Sequence, residues 1–179
     1  MLSYNVAGLL RESPGTVRTF PVDVPKTDLA IAEDVELARP IEGEMRLSRT
    51  GRGILAKGRL ATALAETCSR CLNPVETPIA VDIEQEALPS IDIDTGKPIS
   101  LVGEPDAIQL DDHHELDLAP AVRDAIALAE PIAPLCRPDC RGLCLVCGDD
   151  LNADPAHHHD EDEIDPRLAG LAGLLEQLK

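Results

Sequence analysis

The sequence predicts an α+β protein in which an N-terminal antiparallel β-rich body, either a sheet or a small barrel, precedes a C-terminal helix, a cysteine module and a terminal helix. Three observations support this class. Short apolar runs separated by turn residues fill the first half of the chain. Apolar residues then recur at helical spacing from Leu118. Cysteines cluster between residues 136 and 147, before a final leucine-rich segment.

The strands of the body are predicted from alternation and from turn residues. Ile79, Val81 and Ile83 alternate with Asp82 and Glu84, which is typical of a strand with one buried face. Proline and glycine within residues 12–15, and glycines within residues 50–53, indicate turns. The predicted strands are residues 4–10, Val17–Val24, Ile41–Arg49, Ile54–Thr67 and residues 75–88.

The second half is predicted to contain a loop, a helix, the cysteine module and a terminal helix. Residues 89–112, rich in Pro, Gly and Asp, predict a connecting loop, and a helix over 118–129 ends before Pro131. Asp165 and Pro166 offer an N-cap and a first-turn proline to a terminal helix over 167–179. We therefore predict two domains: residues 1–112, which carry the first cysteine pair, and residues 113–179, in which the terminal helix packs on the cysteine module.

The composition limits the function. The net charge is −17, and Tyr4 and Phe20 are the only aromatic residues. Such a chain repels phosphate backbones as a whole and offers almost no ring on which bases could stack. The first residues do not resemble a signal peptide, and no segment reaches the length of a membrane span. We expect a cytoplasmic protein without a membrane partner or a small-molecule substrate.

One segment departs from the acidic average. Residues 46–70 contain six basic side chains against one acidic side chain, Glu66. We call these six the basic strip and predict that it binds RNA. A solvated face is the alternative, because charge runs on a surface often have no ligand. The basic strip consists of Arg46, Arg49, Arg52, Lys57, Arg59 and Arg70.

The cysteines predict a metal site. Cys68-Ser-Arg-Cys71 lies between two predicted strands, where a tight turn would point both sulfurs at one ion. Gly142 and Gly148 supply the freedom that further tight turns need. A closed structural zinc site takes four sulfur or imidazole ligands, so the spacing predicts a zinc-ribbon-like module with one or two structural Zn²⁺ ions. The other cysteines are Cys136, Cys140, Cys144 and Cys147.

Six thiols exceed one tetrahedral site, so the partition is open. A single four-cysteine site that uses the last two cysteines is one alternative, and the histidines would then form a solvated metal-scavenging tail. A redox role for the first pair would need a helix N-terminus and a βαβ context to lower a thiol pKa, and neither is apparent. The preferred partition joins Cys68 and Cys71 to Cys136 and Cys140, and Cys144 and Cys147 to His157 and His159.

Asp111-Asp-His-His-Glu115 is the only further cluster with catalytic types of side chain. Consecutive residues of an extended segment point to opposite sides, so five neighbours rarely converge on one centre. No phosphate loop, nucleophile elbow or His-Glu-x-x-His motif accompanies the cluster. We therefore predict that the protein is not an enzyme and has no catalytic residues. A metal-dependent enzyme acting through this cluster is the least favoured alternative.

Several motifs occur together in the last two thirds of the chain. They are residues 135–148, Leu151-Asn152 and residues 164–168, Cys68-Ser-Arg-Cys71 followed by Pro74-Val75-Glu76, and Leu116-Asp-Leu118 to Pro131. In this combination they resemble the YceD family over residues 60–179. In many relatives a Cys-x-Cys follows the Leu-Asn pair, and this chain has three histidines there, which favours histidines as substitute ligands.

The resemblance implies a large ribosomal RNA subunit accumulation protein. We expect a non-enzymatic ribosome-biogenesis factor that supports synthesis, processing or accumulation of large-subunit (23S) ribosomal RNA, with that RNA or a pre-ribosomal particle as its partner. The acidic charge supports a second hypothesis, an acidic chaperone or escort for a basic large-subunit ribosomal protein. A thiol redox enzyme is less favoured.

Overall fold

The computed structural model describes residues 2–99, 107–154 and 156–159. The terminal helix predicted over 167–179 lies outside these residues. Within them, no helix is long and apolar enough to cross a bilayer. In chain order the elements are β1 (Ser3–Asn5), α1 (Ala7–Leu10), β2 (Val17–Val24), β3 (Glu36–Leu37), β4 (Ile41–Arg49), β5 (Ile54–Thr67), β6 (Pro74–Pro89), β7 (Ile108–Leu110), β8 (Glu115–Asp117) and α2 (Ala119–Leu128).

The main sheet is open and mostly antiparallel. Its strands lie in the order β2-β4-β5-β6-β7, with β3 paired to β5 beyond β4, and only β6 and β7 are parallel. β1 and β8 form a separate antiparallel pair. The predicted β-rich body is therefore confirmed as an open sheet, and the small-barrel alternative is wrong for the described strands. The α+β class and the zinc-ribbon assignment stay predictions.

Alternation along the strands builds the core. On β5, Ile54, Leu60 and Leu64 are fully buried, whereas Lys57 and Arg59 are exposed on the opposite face. Burying each leucine or isoleucine contributes about 1.5–3 kcal/mol to folding. The inner face therefore stabilises the sheet, and its outer face is left to solvent.

Helix α2 confirms the predicted helix to within one residue at each end. The Asp117 carboxylate accepts the Ala119 N–H at 2.9 Å and so stabilises the helix start. Val122 and Ile126 are fully buried in the same core cluster as the sheet residues. The division into domains at residue 112 stays a prediction, while β8 and α2 both pack with elements from the N-terminal half.

The predicted strand over 4–10 is wrong beyond Asn5. β8 has three residues, so its ladder with β1 is short. The Asn5 side-chain oxygen then accepts the Ala7 N–H at 3.2 Å, and the chain turns into α1. This turn buries Leu9 and Leu10 in the core. An apolar run had predicted a strand, but burial is achieved here by one helical turn.

The predicted loop over 89–112 contains a strand. β7 pairs in parallel with the end of β6, from Ala87↔Ile108 to Pro89↔Leu110. A strand of three residues is too short to show a period in the sequence, as is the two-residue β3. Residues 100–106 of the same loop lie outside the described part of the chain.

Arg49 ties the β4–β5 turn to the end of α1. Its Nε donates to the Leu10 carbonyl at 3.0 Å, and its Nη1 donates to the carbonyls of Thr50 and, at 3.1 Å, Gly53. These bonds are partly buried. The donors of this basic-strip residue are therefore engaged within the protein itself.

We expect Arg49→Ala to lower the free energy of unfolding by about 1–3 kcal/mol, because partly buried carbonyls lose their donor. Arg46→Ala, which alters an exposed arginine of the same strand, should change it by less than about 0.5 kcal/mol. Urea unfolding followed by circular dichroism measures both variants. Small and equal effects would contradict the structural role of Arg49.

Candidate metal centres

The first Cys-x-x-Cys pair lies at the tip of a long hairpin. β5 and β6 pair continuously from Ile54↔Ala87 to Thr67↔Pro74, and the cysteines lie in the turn that follows. The Cys68 N–H donates to the Asn73 carbonyl at 2.9 Å, and the Leu72 N–H donates to the Cys68 carbonyl at 3.0 Å. This tight turn brings both sulfurs of the pair together.

Four sulfurs meet at this tip. We call Cys68, Cys71, Cys136 and Cys140 the sulfur cluster; their Sγ atoms lie within 4.8 Å of one another. Cys68 and Cys140 are 3.8 Å apart, and Cys71 and Cys136 are 3.6 Å apart. Tetrahedral zinc with bonds of about 2.3 Å would hold two sulfurs about 3.8 Å apart. A disulfide needs about 2 Å, so the thiols are free and have the dimensions of a closed metal site.

Several hydrogen bonds hold residues 134–143, which carry Cys136 and Cys140, against the hairpin tip. The Ser69 N–H donates to the Pro134 carbonyl at 2.8 Å, and the Leu143 N–H donates to the Arg70 carbonyl at 3.1 Å. The Arg70 guanidinium donates to the Cys140 carbonyl at 2.7 Å. The sulfur cluster is therefore framed by backbone contacts between segments about 65 residues apart, as the Cys71–Cys136 pair shows.

A second group combines thiols and imidazoles. We call Cys144, Cys147, His157 and His159 the mixed cluster; their ligand atoms also lie within 4.8 Å of one another. Sγ of Cys144 is 3.2 Å from Nε2 of His159, and Sγ of Cys147 is 3.3 Å from Nε2 of His157. Tetrahedral zinc would separate such atoms by about 3.6 Å, so small outward shifts would admit an ion.

The side chains lie together in the two groups of the preferred partition, the sulfur cluster and the mixed cluster. His158 lies outside the mixed cluster. Its Nδ1 is instead 3.1 Å from the Ala156 carbonyl. The chain turns there, so that the imidazoles of His157 and His159 meet with Nε2 atoms 3.0 Å apart. That these two clusters bind metal stays a prediction.

The two Cys-x-x-Cys turns share one backbone pattern. In the second turn the Cys144 N–H donates to the Asp149 carbonyl at 2.8 Å, and the Gly148 N–H donates to the Cys144 carbonyl at 2.9 Å. The residue after the second cysteine has a positive φ in both turns, 60° at Leu72 and 81° at Gly148. Glycine adopts this conformation freely, but leucine does so at a cost of about 1–2 kcal/mol.

Asn152 is a site residue that sequence reasoning missed. Its Oδ1 accepts the Arg141 N–H and an Arg137 guanidinium N–H, each at 2.8 Å. Its Nδ2 then lies 3.5 Å from the Cys140 Sγ, where it can donate to a thiolate. Asn152 formed part of the motif that carried the family resemblance, but only the fold brings it to the sulfur cluster.

Backbone amides prepare one thiol of each cluster for metal. N–H groups of Cys71, Cys136 and Arg70 lower the pKa of Cys68 to about 6. N–H groups of Cys147 and Val146 lower the pKa of Cys144 to about 6. Desolvation, reinforced by the neighbouring thiols, raises the pKa of Cys136 to about 12. Neutral pH therefore favours the thiolate form of one cysteine in each cluster, and a metal ion that binds would displace the protons of the other thiols.

The basic strip does not form an unpaired cationic surface. The β5–β6 register sets acidic residues of β6 opposite basic residues of β5. Lys57 Nζ lies 2.7 Å from a Glu84 oxygen, and Arg59 Nε lies 4.0 Å from an Asp82 oxygen. Arg52 pairs with a Glu86 oxygen at 2.9 Å, Arg49 and Arg70 donate to backbone carbonyls, and Arg46 is exposed on β4. RNA binding by these residues stays a prediction.

The Asp111–Glu115 segment forms a turn. The Asp111 carboxylate accepts the N–H groups of His113 at 3.0 Å and Glu115 at 2.7 Å. His113 is exposed, whereas His114 is buried with a positive φ of 58°. Neighbouring side chains therefore point to different environments, as expected for a turn that leads into β8.

The fold and the site define a class of β-rich protein with two Cys/His clusters of metal-site dimensions at one end of the sheet. A family model described as large ribosomal RNA subunit accumulation protein YceD matches residues 56–175. The chain belongs to the YceD family.

Curated relatives agree with this membership. An uncharacterized protein of Mycobacterium tuberculosis (strain ATCC 25618 / H37Rv) is 35% identical over 133 residues, 74% of this chain and 60% of the relative. The large ribosomal RNA subunit accumulation protein YCED homolog 1, chloroplastic, of Zea mays is 27% identical over 151 residues, 72% of this chain and 47% of that protein. This chain thus spans about 60% of the mycobacterial relative it matches. No solved structure matches it.

We expect Leu72→Gly to stabilise the metal-loaded protein by about 0.5–1 kcal/mol, because relief of the left-handed strain exceeds the added freedom of the unfolded chain. The reciprocal variant, Gly148→Leu, should destabilise it by about 1–2 kcal/mol. Urea midpoints of the metal-loaded proteins measure both effects. A loss of stability in Leu72→Gly would mean that the exposed leucine makes a contact worth more than its strain.

Proposed function

We propose that this protein is a non-enzymatic ribosome-biogenesis factor that supports synthesis, processing or accumulation of large-subunit ribosomal RNA in the cytoplasm. Membership of the YceD family carries this proposal. The name of the Zea mays relative, a large ribosomal RNA subunit accumulation protein homolog, supports it in the same way. The described cysteines are free thiols, which is what a reducing compartment favours.

Zinc is the ion that we assign to both clusters. Thiolate and imidazole ligands suit zinc, and the sulfur–sulfur distances of 3.6 and 3.8 Å fit its tetrahedral geometry. Four protein ligands would leave no open position for a water molecule, so bound zinc would stabilise the fold rather than act on a substrate. The cysteines hold the ion, and Asn152 orients the Cys140 sulfur.

Direct contact with RNA is the first candidate for how the protein works. The outer face of the sheet carries Arg46, Lys57 and Arg59 in exposed positions. Lys57 and Arg59 pair with acids, but exposed pairs of this kind contribute about 0–1 kcal/mol and exchange readily with a phosphate. Phosphates of a folded RNA would then bind across β4 and β5.

Escort of a basic protein is the second candidate, and the charges favour it. The net charge is −17, and acidic residues of β6 lie directly opposite the basic-strip residues of β5, Lys57 and Arg59. On the outer face, Glu44 and Asp82 lie on either side of Arg59 in one cross-strand row. A lysine-rich ribosomal protein would meet attraction over this face, whereas RNA would meet repulsion over much of it.

We expect removal of the protein from its native cell to lower the ratio of large-subunit to small-subunit ribosomal RNA. Wild-type protein should restore the ratio, but the double variant Cys68→Ser/Cys71→Ser should not, because it removes half of the sulfur cluster. Quantification of both RNAs measures the effect. An unchanged ratio after removal would contradict the proposed function.

The control for this experiment also tests the enzyme alternative. Asp112→Ala/His113→Ala changes exposed residues of the turn before β8. Full restoration by this variant is the expected result. Failure to restore, with the fold intact, would favour a metal-dependent enzyme acting through that turn.

A charge reversal separates the two candidate mechanisms. If RNA binds the outer face, Arg46→Glu should weaken binding to large-subunit RNA and lower the salt dependence by about one phosphate contact. Arg39→Glu is the matched control, because Arg39 is exposed, pairs with Glu76 and lies outside the basic strip. Filter binding at several salt concentrations measures both. The escort would be favoured if both variants and wild type bound RNA with equal affinity and Arg46→Glu bound a basic ribosomal protein more tightly than wild type does.

A further inference from the structure

The two clusters differ in exposure. In the sulfur cluster, Cys68, Cys71 and Cys140 are 0%, 4% and 1% exposed, and only the fourth ligand, Cys136, is exposed. In the mixed cluster, Cys147 and His159 are exposed, and the other two ligands are partly so. Protein therefore covers three of the four ligands of the sulfur cluster, whereas every ligand of the mixed cluster is at least partly open to water, chelators and competing ions.

The two clusters also differ in how their ligands are anchored. The sulfur cluster joins the tip of the β5–β6 hairpin to a distant segment, and the Ser69–Pro134, Arg70–Cys140 and Leu143–Arg70 bonds hold the two segments together. All four ligands of the mixed cluster come from residues 144–159. Its histidines follow a turn in which the His157 N–H donates to the Asp154 carbonyl at 3.2 Å. Loss of an ion would therefore release the histidines without disturbing the sheet.

The mixed cluster lies at the edge of a groove. The groove has a volume of about 870 Å³ and lies between the two Cys-x-x-Cys turns. Its lining includes Arg70, Arg141 and Leu143, which belong to or follow the segments of the sulfur cluster, and also His157 to His159. An ion that joins His157 and His159 to Cys144 and Cys147 would fix the part of the lining that the histidines form.

We propose that the sulfur cluster is a permanent metal site and that the mixed cluster is an exchangeable one, whose occupancy sets whether residues 156–159 wall the groove. This inference rests on the zinc assignment of the proposed function. When zinc leaves the mixed cluster for a chelator, the freed thiols and imidazoles are exposed to water, and the histidine segment separates from the Cys144–Cys147 turn.

The test is zinc transfer to the chromogenic chelator 4-(2-pyridylazo)resorcinol from tag-free protein loaded with zinc. We expect two phases of equal amplitude, with the fast phase at least about tenfold faster than the slow phase, because the mixed cluster has no buried ligand and its histidines are held only by a local turn. Hydrogen exchange after the fast phase should show loss of protection at the amides of Gly148 and His157. The amides of Cys68 and Leu72 should keep their protection.

Variants assign the phases. His157→Ala/His159→Ala should remove the fast phase and leave the slow phase unchanged. His158→Ala is the matched control and should leave both phases intact, because His158 lies outside the cluster. Both alanine variants alter the exposed end of the described chain, so neither threatens the core.

Release of both ions in one phase, or a full fast phase in His157→Ala/His159→Ala, would overturn the proposal. So would loss of protection at Cys68 and Leu72 together with Gly148. A protein that takes up fewer than two zinc ions would instead refute the zinc assignment itself, so the two failures are distinguishable.

Discussion

The register between β5 and β6 determines where the first cysteine pair lies. The ladder runs without a break to Thr67↔Pro74 and delivers the Cys68–Cys71 turn at its end. The backbone of this turn then binds the distant cysteine segment through the Ser69 N–H and the Arg70 carbonyl. The sulfur cluster, the groove and the position of the second Cys-x-x-Cys turn all depend on this hairpin. A shift of β6 by one residue along β5 would turn the inward-facing side chains of β6 outward.

The same register determines the electrostatics of the outer face. Lys57 lies opposite Glu84, and Arg59 lies opposite Asp82. A segment that is basic along the sequence thus becomes a mixed surface in the fold, because its neighbours in space come from the next strand. Because this surface carries both signs of charge, RNA and a basic ribosomal protein are both candidate partners. Arg46, at the β4 side of the same row as Lys57, is the position where the two alternatives differ most.

The sequence predicts the strong local patterns of this protein and misses what depends on register. The β2, β4 and β5 bounds agree with prediction, because alternation and turn residues are local signals. The side chains of each preferred ligand group also lie close together, since spacing and residue type restrict which thiols can meet. β3 and β7 are too short for a pattern, and α1 replaces a predicted strand. The carbonyl contacts of Arg49 and the Asn152 contact with Cys140 arise only when distant segments meet.

We propose that two tetrahedral zinc sites hold the cysteine segments at the end of the sheet. Elemental analysis of tag-free protein, paired with native mass spectrometry to exclude ions bound weakly at the histidines, tests it most directly. We expect two tightly held zinc ions per chain, one for each cluster. A single ion would refute the assignment of zinc to both clusters, and the complete absence of zinc would refute both sites.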